Sequence, residues 1–459
     1  MKTKLITIAL FFCFSNLFCQ EIVGSWAGEL AVQGTKLPLV FNIKQNENKL
    51  VSTMDSPMQG AKDIPVTTTT FEKNELVVSI PTMQLQYKGV LKGDKIEGTF
   101  SQSQMSLPFT LSRKKEGEVV LKRPQTPQPP FNYNVEEVTF INQVDKNTLA
   151  GTLTTPVTKK DFPLVVLISG SGQQNRNCEL FGHQSFWVIA DDFAKKGIGV
   201  LRIDDRGTGG SDGLTNNVTT QDFARDTNAA VTFLVQKGFK TIGLIGHSEG
   251  GIIAPMVASE NTKVKFIIAM AGPGIASDEL LLMQTNAIGK AAGASEDQLK
   301  SSSDTNKKLY ALIKNYNGID LKNDVKKEII EAMQKMPQEH GMGALEIEKI
   351  AEQESSKVAI PWFSYFLKIN PAAYWSKLKI PVLAMNGDKD LQVAAKANLA
   401  GIKAALEKGG NKQFEIVEFP NLNHLFQKAK TGSVEEYAQI EQTIAPQVLD
   451  KMSSWILKR

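Results

Sequence analysis

The stretch Gly246-His247-Ser248-Glu249-Gly250 follows an apolar run, TIGLI, and precedes GIIAPMVA. A strand that turns into a helix through five residues must bend sharply. Glycines at both flanks remove the Cβ atoms that would collide in so tight a turn. The serine between them is expected to sit in strained backbone, at a cost of about 1–3 kcal/mol. Its hydroxyl is lifted clear at the positive N-terminus of the following helix. A serine so placed is suited to attack a carbonyl carbon, provided that a base can take its proton.

The chain has four histidines. His247 is the elbow neighbour and His183 precedes the serine. His340 lies in PQEHGMG, with no strand before it. His424, in FPNLNHLF, falls on a loop just after the final apolar run, QFEIVEF (413–419). Loops at the carboxyl ends of strands are where such sheets keep their chemistry, so His424 is the expected base. An acid that orients it should follow the penultimate strand, where NGDKDLQV offers both Asp388 and Asp390. An oxyanion hole needs two backbone N–H groups. One is expected from Glu249. The other is expected from the loop that opens SGSGQQNRN (169–177), with Ser171 favoured and Gly172 the alternative. That loop lacks the G-K-[ST] ending of a phosphate-binding loop.

These residues need a frame. From about residue 135, continuous Val/Ile/Leu runs alternate with helical stretches: PLVVLISG, GVLRID, TIGLIG, KFIIAMAG, PVLAMNG and QFEIVEF. Runs of that kind linked by helices predict a mostly parallel, doubly wound α/β sheet covered on both faces. An opening hairpin is expected from VTFIN (138–142) and TLAGTLTTP (148–156). Helices are expected over 183–196, 220–237, 250–260, 392–408 and 433–457. The stretch from about 275 to 376 is rich in Leu, Lys, Glu, Met and Ala and reads as a helical cap. Its segment PWFSYFLKINPAAYW carries Trp362, Phe363, Tyr365, Phe366, Tyr374 and Trp375. They either line an acyl or alcohol pocket or pack the cap onto the sheet.

Taken together these motifs resemble the α/β-hydrolase family over residues 135–459. The resemblance selects Asp390 over Asp388, through G-x-x-D-x-x-V, and implies a Ser248–His424–Asp390 triad. It also covers D-x-R-G-x-G-x-S in IDDRGTGGSDG, which implies structural roles for Arg206 and Asp212. The loop SGSGQQNRN is similar to the SGSG-x-x-DRD of secreted bacterial serine esterases, a group filed with serine aminopeptidase-like hydrolases. Asn175 and Asn177 stand here where those relatives have aspartates, and Ser169 where many have histidine. The activity implied is that of a serine carboxylesterase acting on small-molecule esters through an acyl-enzyme, without cofactor or metal. A peptidase or acyltransferase using the same triad is the alternative, and a non-catalytic binding protein a third.

Residues 21–115 read differently. LPLVFNI, ELVVSI, LQYKGVL and KIEGTFS are short β runs broken by polar turns, and predict a small all-β domain, either an antiparallel sandwich or a barrel. About 95 residues cannot make a propeller of four-stranded blades, which argues against an oligopeptidase gate. Pro124, Pro127, Pro129 and Pro130 make 116–134 a stiff, extended linker. The first twenty residues pair Lys2 and Lys4 with an apolar stretch, Leu5 to Phe14, and read as a signal peptide, hence a secreted or periplasmic protein. Three cysteines, two of them at or within that leader, imply no internal disulfide. A net charge of +4 does not suggest nucleic-acid binding, and no later run is apolar and long enough to span a bilayer. No H-E-x-x-H or paired Cys/His spacing suggests a metal. The sequence leaves the oligomeric state open.

Overall fold

The computed structural model describes residues 22–459 apart from 33–34, 48, 57–60, 103–104, 115–121, 158–160 and 335–342. The expected signal peptide and His340 lie outside the described residues. The chain divides into two compact units between 121 and 122, with only residues 180–182 grouped out of order. That division falls inside the Pro-rich stretch.

The first unit is one antiparallel sheet. Its strands are β1 (Gly24–Val32), β2 (Thr35–Asn46), β3 (Lys49–Ser56), β4 (Ala61–Pro65), β5 (Thr68–Glu72), β6 (Glu75–Ile80), β7 (Leu85–Lys92), β8 (Lys95–Gln102) and β9 (Met105–Arg113). They lie in the order β4-β3-β2-β1-β9-β8-β7-β6-β5. Alternate residues point inward: Leu85, Tyr87 and Leu91 of β7 are buried while their neighbours are exposed. The two sides of the sheet approach each other where Ser52 Oγ of β3 lies 2.6 Å from Thr69 Oγ1 of β5. Of the sandwich and the barrel, the structure adopts the barrel. Trp26, Phe41, Tyr87 and Phe109 fill its single core. The Arg113 guanidinium lies 4.5 Å from the Trp26 ring centroid and donates to Val23 O at 2.8 Å.

The second unit opens with an antiparallel hairpin, β10 (Tyr133–Ile141) and β11 (Thr148–Pro156). β12 (Leu164–Ile168), a short ribbon of β13 (Glu179–Leu180) and β14 (His183–Gln184), β15 (Gly199–Ile203), β16 (Ile242–His247), β17 (Val264–Met270), β18 (Val382–Gly387) and β19 (Phe414–Phe419) follow. The large sheet runs β10-β11-β15-β12-β16-β17-β18-β19, and every pair from β15 to β19 in that order is parallel. The continuous apolar runs have a simple cause: both faces are covered. Leu164, Val166 and Ile168 of β12 enter one core, and Val165 and Leu167 the other. α1 (Ser185–Lys195) covers the second face. α2 (Thr220–Gln236) and α3 (Gly250–Ala258) cover the first.

Between β17 and β18, where a cap was expected, six helices are described: α4 (Ser277–Ala291), α5 (Glu296–Lys314), α6 (Leu321–Gln334), α7 (Ala344–Val358), α8 (Pro361–Leu367) and α9 (Ala372–Trp375). α10 (Ala395–Lys408) follows β18. The long helix expected over 433–457 is instead two, α11 (Val434–Tyr437) and α12 (Pro446–Ile456). Pro446 disfavours helical backbone at Ala445. The intervening carbonyls have other partners: Arg123 donates to Ala438 O at 2.7 Å and to Ile440 O at 3.0 Å, and Gln125 Nε2 to Ile444 O at 2.8 Å. Gln125 Oε1 in turn accepts from Thr443 N–H at 2.6 Å. Residues 123 and 125 of the Pro-rich stretch are therefore strapped to the second unit.

Candidate active site

Ser248 follows β16 directly. Its φ is +56°, a left-handed conformation that a serine holds only under constraint. Its N–H donates to Met270 O at 3.0 Å, which anchors the turn to β17. The flanking glycines are steric necessities. A Cβ on Gly246 would lie 1.9 Å from Gly250 O, and one on Gly250 would lie 2.3 Å from Ile168 O. The elbow is thus pressed against the end of β12.

β18 and β19 end beside each other, and their loops carry the acid and the histidine. His424 Nδ1 lies 2.8 Å from Asp390 Oδ2. The other Asp390 oxygen accepts from the N–H groups of Gln392 and Val393, both at 2.8 Å. Asp388 does a different job: its Oδ1 accepts from Asn421 N–H at 2.6 Å and holds the histidine loop to the β18 turn. Within that loop Asn423 Oδ1 accepts from Leu425 and Gln427 N–H, at 3.0 and 2.9 Å.

Two further histidines support this arrangement, and neither role was legible from spacing. His247 is buried, and its Nε2 donates to the His424 carbonyl at 2.9 Å, with the two rings 4.8 Å apart. Burial, then the neighbouring His424, pushes its pKa down to about 4, so it is neutral near pH 7. His183 is fully buried, with Nδ1 2.9 Å from Thr443 Oγ1 and Nε2 3.1 Å from Tyr437 O and 2.9 Å from Gln427 Nε2. It ties the ribbon β13–β14 to the segment behind the His424 loop.

The loop after β12 passes beside the elbow, since a Cβ on Gly170 would lie 3.0 Å from Ser248 Cβ. Among the described residues the backbone N–H groups of Ser171 and Glu249 have no hydrogen-bond acceptor. Ser169 Oγ donates to Asp205, 3.0 Å from Oδ1, and Gln174 N–H donates to Asp205 Oδ2 at 2.9 Å. Burial raises the Asp205 pKa to about 7 despite these bonds. Asp205 and Glu249 both line a small cavity of about 30 Å³ behind the loop, enough for one water.

Arg206 and Asp212 sit where the resemblance implied. Arg206 is buried and donates through Nε to Asp226 at 2.7 Å and through Nη2 to Asp145 at 2.8 Å. Asp212 Oδ1 accepts from Thr148 N–H at 2.5 Å. The two asparagines of the 169–177 loop are also structural. Asn175 Oδ1 accepts from Asn177 N–H at 3.0 Å, and Asn177 Oδ1 accepts from the Arg202 guanidinium. Desolvation, then the neighbouring Arg176, lowers the Arg202 pKa to about 10.

The cap aromatics serve mainly as packing. Phe366 and Trp375 are buried in the main core, with Trp362, Tyr365 and Tyr374 partly buried against it. Phe363 packs instead with the cap's own core around Leu309 and Ile313. Trp362 stacks on Phe366, with ring centroids 5.2 Å apart. Among the described residues no group of three or more His, Cys, Asp or Glu side chains is placed to hold a metal ion, and no helix is long and apolar enough to cross a membrane.

Esterase EstD of Thermotoga maritima is 26% identical over 316 residues, 68% of this chain and 66% of that protein's own length. Among solved structures, the Pyrococcus furiosus esterase Pf2001 is 16% identical, with a TM-score of 0.42 over 71% of this chain and 93% of that one. Hypothetical protein PA2218 of Pseudomonas aeruginosa is 15% identical, with a TM-score of 0.44 over 75% of this chain and 99% of that one. Residues 163–427, more than half of the chain, match the α/β-hydrolase fold family, which takes in the elbow, both acid candidates and His424. The chain belongs to the α/β-hydrolase fold family.

Proposed function

We propose that this protein is a serine carboxylesterase acting on small-molecule esters. The observation that carries the reading is the 2.8 Å contact between His424 Nδ1 and Asp390, on loops flanking a serine held at φ +56°. Asp390 keeps the proton on Nδ1, which leaves Nε2 free to act as base. Ser248 Oγ attacks the ester carbonyl and its proton passes to His424 Nε2. The tetrahedral oxyanion accepts from the N–H groups of Glu249 and Ser171, which have no other acceptor among the described residues. The imidazolium gives its proton to the leaving alcohol, and an acyl-enzyme remains. Water, deprotonated by His424, then releases the acid and regenerates Ser248. The likeness to a protein named as an esterase supports this choice over a peptidase. The basic, apolar start of the chain supports export to the periplasm or the medium, to be checked by fractionation of producing cells.

The test is hydrolysis of p-nitrophenyl acetate, butyrate and octanoate beside Ser248→Ala. The variant should lose about 10⁴-fold or more in kcat and all labelling by a fluorophosphonate. Labelling that survives the substitution would remove Ser248 from the mechanism. Labelling without ester turnover would shift the reading to peptide or acyl-acceptor substrates.

A further inference from the structure

Glu249 brings more than its backbone to the elbow. Its side chain is buried, 2% exposed, and no salt bridge reaches it among the described residues. Instead its carboxylate accepts hydrogen bonds from two separate parts of the fold. Thr220 Oγ1, at the start of α2, donates to Oε1 at 2.7 Å. The Trp362 indole N–H, from the cap helix α8, donates to Oε1 at 2.9 Å and Oε2 at 3.2 Å. The Ser171 hydroxyl, from the loop after β12, also favours the charged form of this carboxyl. Burial raises the carboxyl above its ordinary range, and these bonds pull against that rise.

An anion without a cation is an expensive way to dock a cap, since apolar packing of equal volume does as well. Its position suggests another use. The residue that owns this carboxylate also owns one expected oxyanion N–H. The Trp362 ring is fixed independently by its stacking on Phe366 in the main core. The elbow peptide, the start of α2 and the cap helix are therefore tied together through one side chain. Oxyanion donors are sensitive to place, and a shift of about 1 Å at a reacting site can cost about 100-fold in rate.

We propose that Glu249 and Trp362 form a positioning pair, through which the seating of cap helix α8 sets the geometry of the oxyanion hole. Neither side chain touches the reacting atoms in this scheme. The pair acts through the Glu249 peptide, and the inference rests on the reading of Ser248 as nucleophile.

Trp362→Phe isolates the effect, because it removes the indole N–H and keeps a ring against Phe366. Fluorophosphonate labelling of the wild-type full chain is done first. A wild-type chain that takes no label would defeat the nucleophile reading itself, and the pair with it. With labelling established, Trp362→Phe is expected to lower kcat about 10-fold, by the same factor on acetate, butyrate and octanoate esters, with KM within about twofold. Inhibition by an alkyl boronic acid, which mimics the tetrahedral oxyanion, should weaken by that same factor. Glu249→Gln should show the same pattern if Trp362→Phe does not fold, with circular dichroism reporting the fold of each. The double variant should be no slower than the slower single one, as expected of residues acting through one contact. An unchanged kcat in either folded variant overturns the proposal. So does a loss confined to KM that grows with acyl length, which would make Trp362 a pocket wall.

Discussion

At the scale of single residues, three carboxylates near the elbow have three different fates. Asp390 faces a histidine, Asp388 caps a loop, and Asp205 is half-buried near other acids. Removing the imidazole partner should matter far more than removing the loop cap. Asp390→Asn is expected to lower kcat by about 10³–10⁴-fold, and Asp388→Asn by less than about 10-fold. Equal losses in steady-state ester kinetics would contradict the assignment. Asp205 predicts a pH effect on stability. Its folded pKa of about 7 lies above the ordinary aspartate value, so between about pH 4 and 7 the folded protein holds a proton that the unfolded chain has released. Stability from this group is complete below that window and is lost as pH rises through 7. Asp205→Asn removes the dependence, so its stability relative to wild type should improve from pH 5 to pH 8, by about 2.7 kcal/mol at most. Urea unfolding at the two pH values measures this, and a constant difference would contradict it. Asn177→Asp should act in the opposite sense to most core changes. A carboxylate facing Arg202 would satisfy a buried guanidinium, so the thermal midpoint should rise.

At the scale of elements, the turn after β16 was legible because its geometry is local. Five consecutive residues and the runs on either side specify a strand, a tight turn and a helix. The clash distances at Gly246 and Gly250 show why no other residue fits. Gly246→Ala is accordingly expected to cost about 3 kcal/mol and to abolish labelling at Ser248, as a thermal melt with a fluorophosphonate would show. The alternating strands and helices of the second unit were equally legible, since burial on both faces writes itself as unbroken apolar runs. Asp388 and Asp390 were inseparable on local grounds, because both sit in one polar turn and only the fold decides which meets His424. The Glu249 hub was invisible for a similar reason: Thr220 is 29 residues away and Trp362 is 113. In the first unit β1, β3, β4, β5 and β9 escaped notice. Their apolar residues are mixed with polar ones, as in strands with one exposed face. The break between α11 and α12 depended on Arg123 and Gln125, more than 300 residues earlier.

At the scale of the whole molecule, the two units have separate cores. Separate cores predict separate cooperative transitions. Phe41→Ala, deep in the barrel, should destabilise that unit by about 3–5 kcal/mol and leave ester turnover at 25 °C unchanged. Calorimetry should show one transition move while the other stays, and a common shift of both would contradict the prediction. The strap made by Arg123 and Gln125 has a mechanical consequence. Along the chain the second unit begins at Lys122, and the next residues are bonded sideways to 438, 440, 443 and 444. A load applied along the chain must shear that set of bonds together before it can peel β10 from the edge of the large sheet. Tension is thereby grounded at a segment of the hydrolase frame rather than delivered to a single strand.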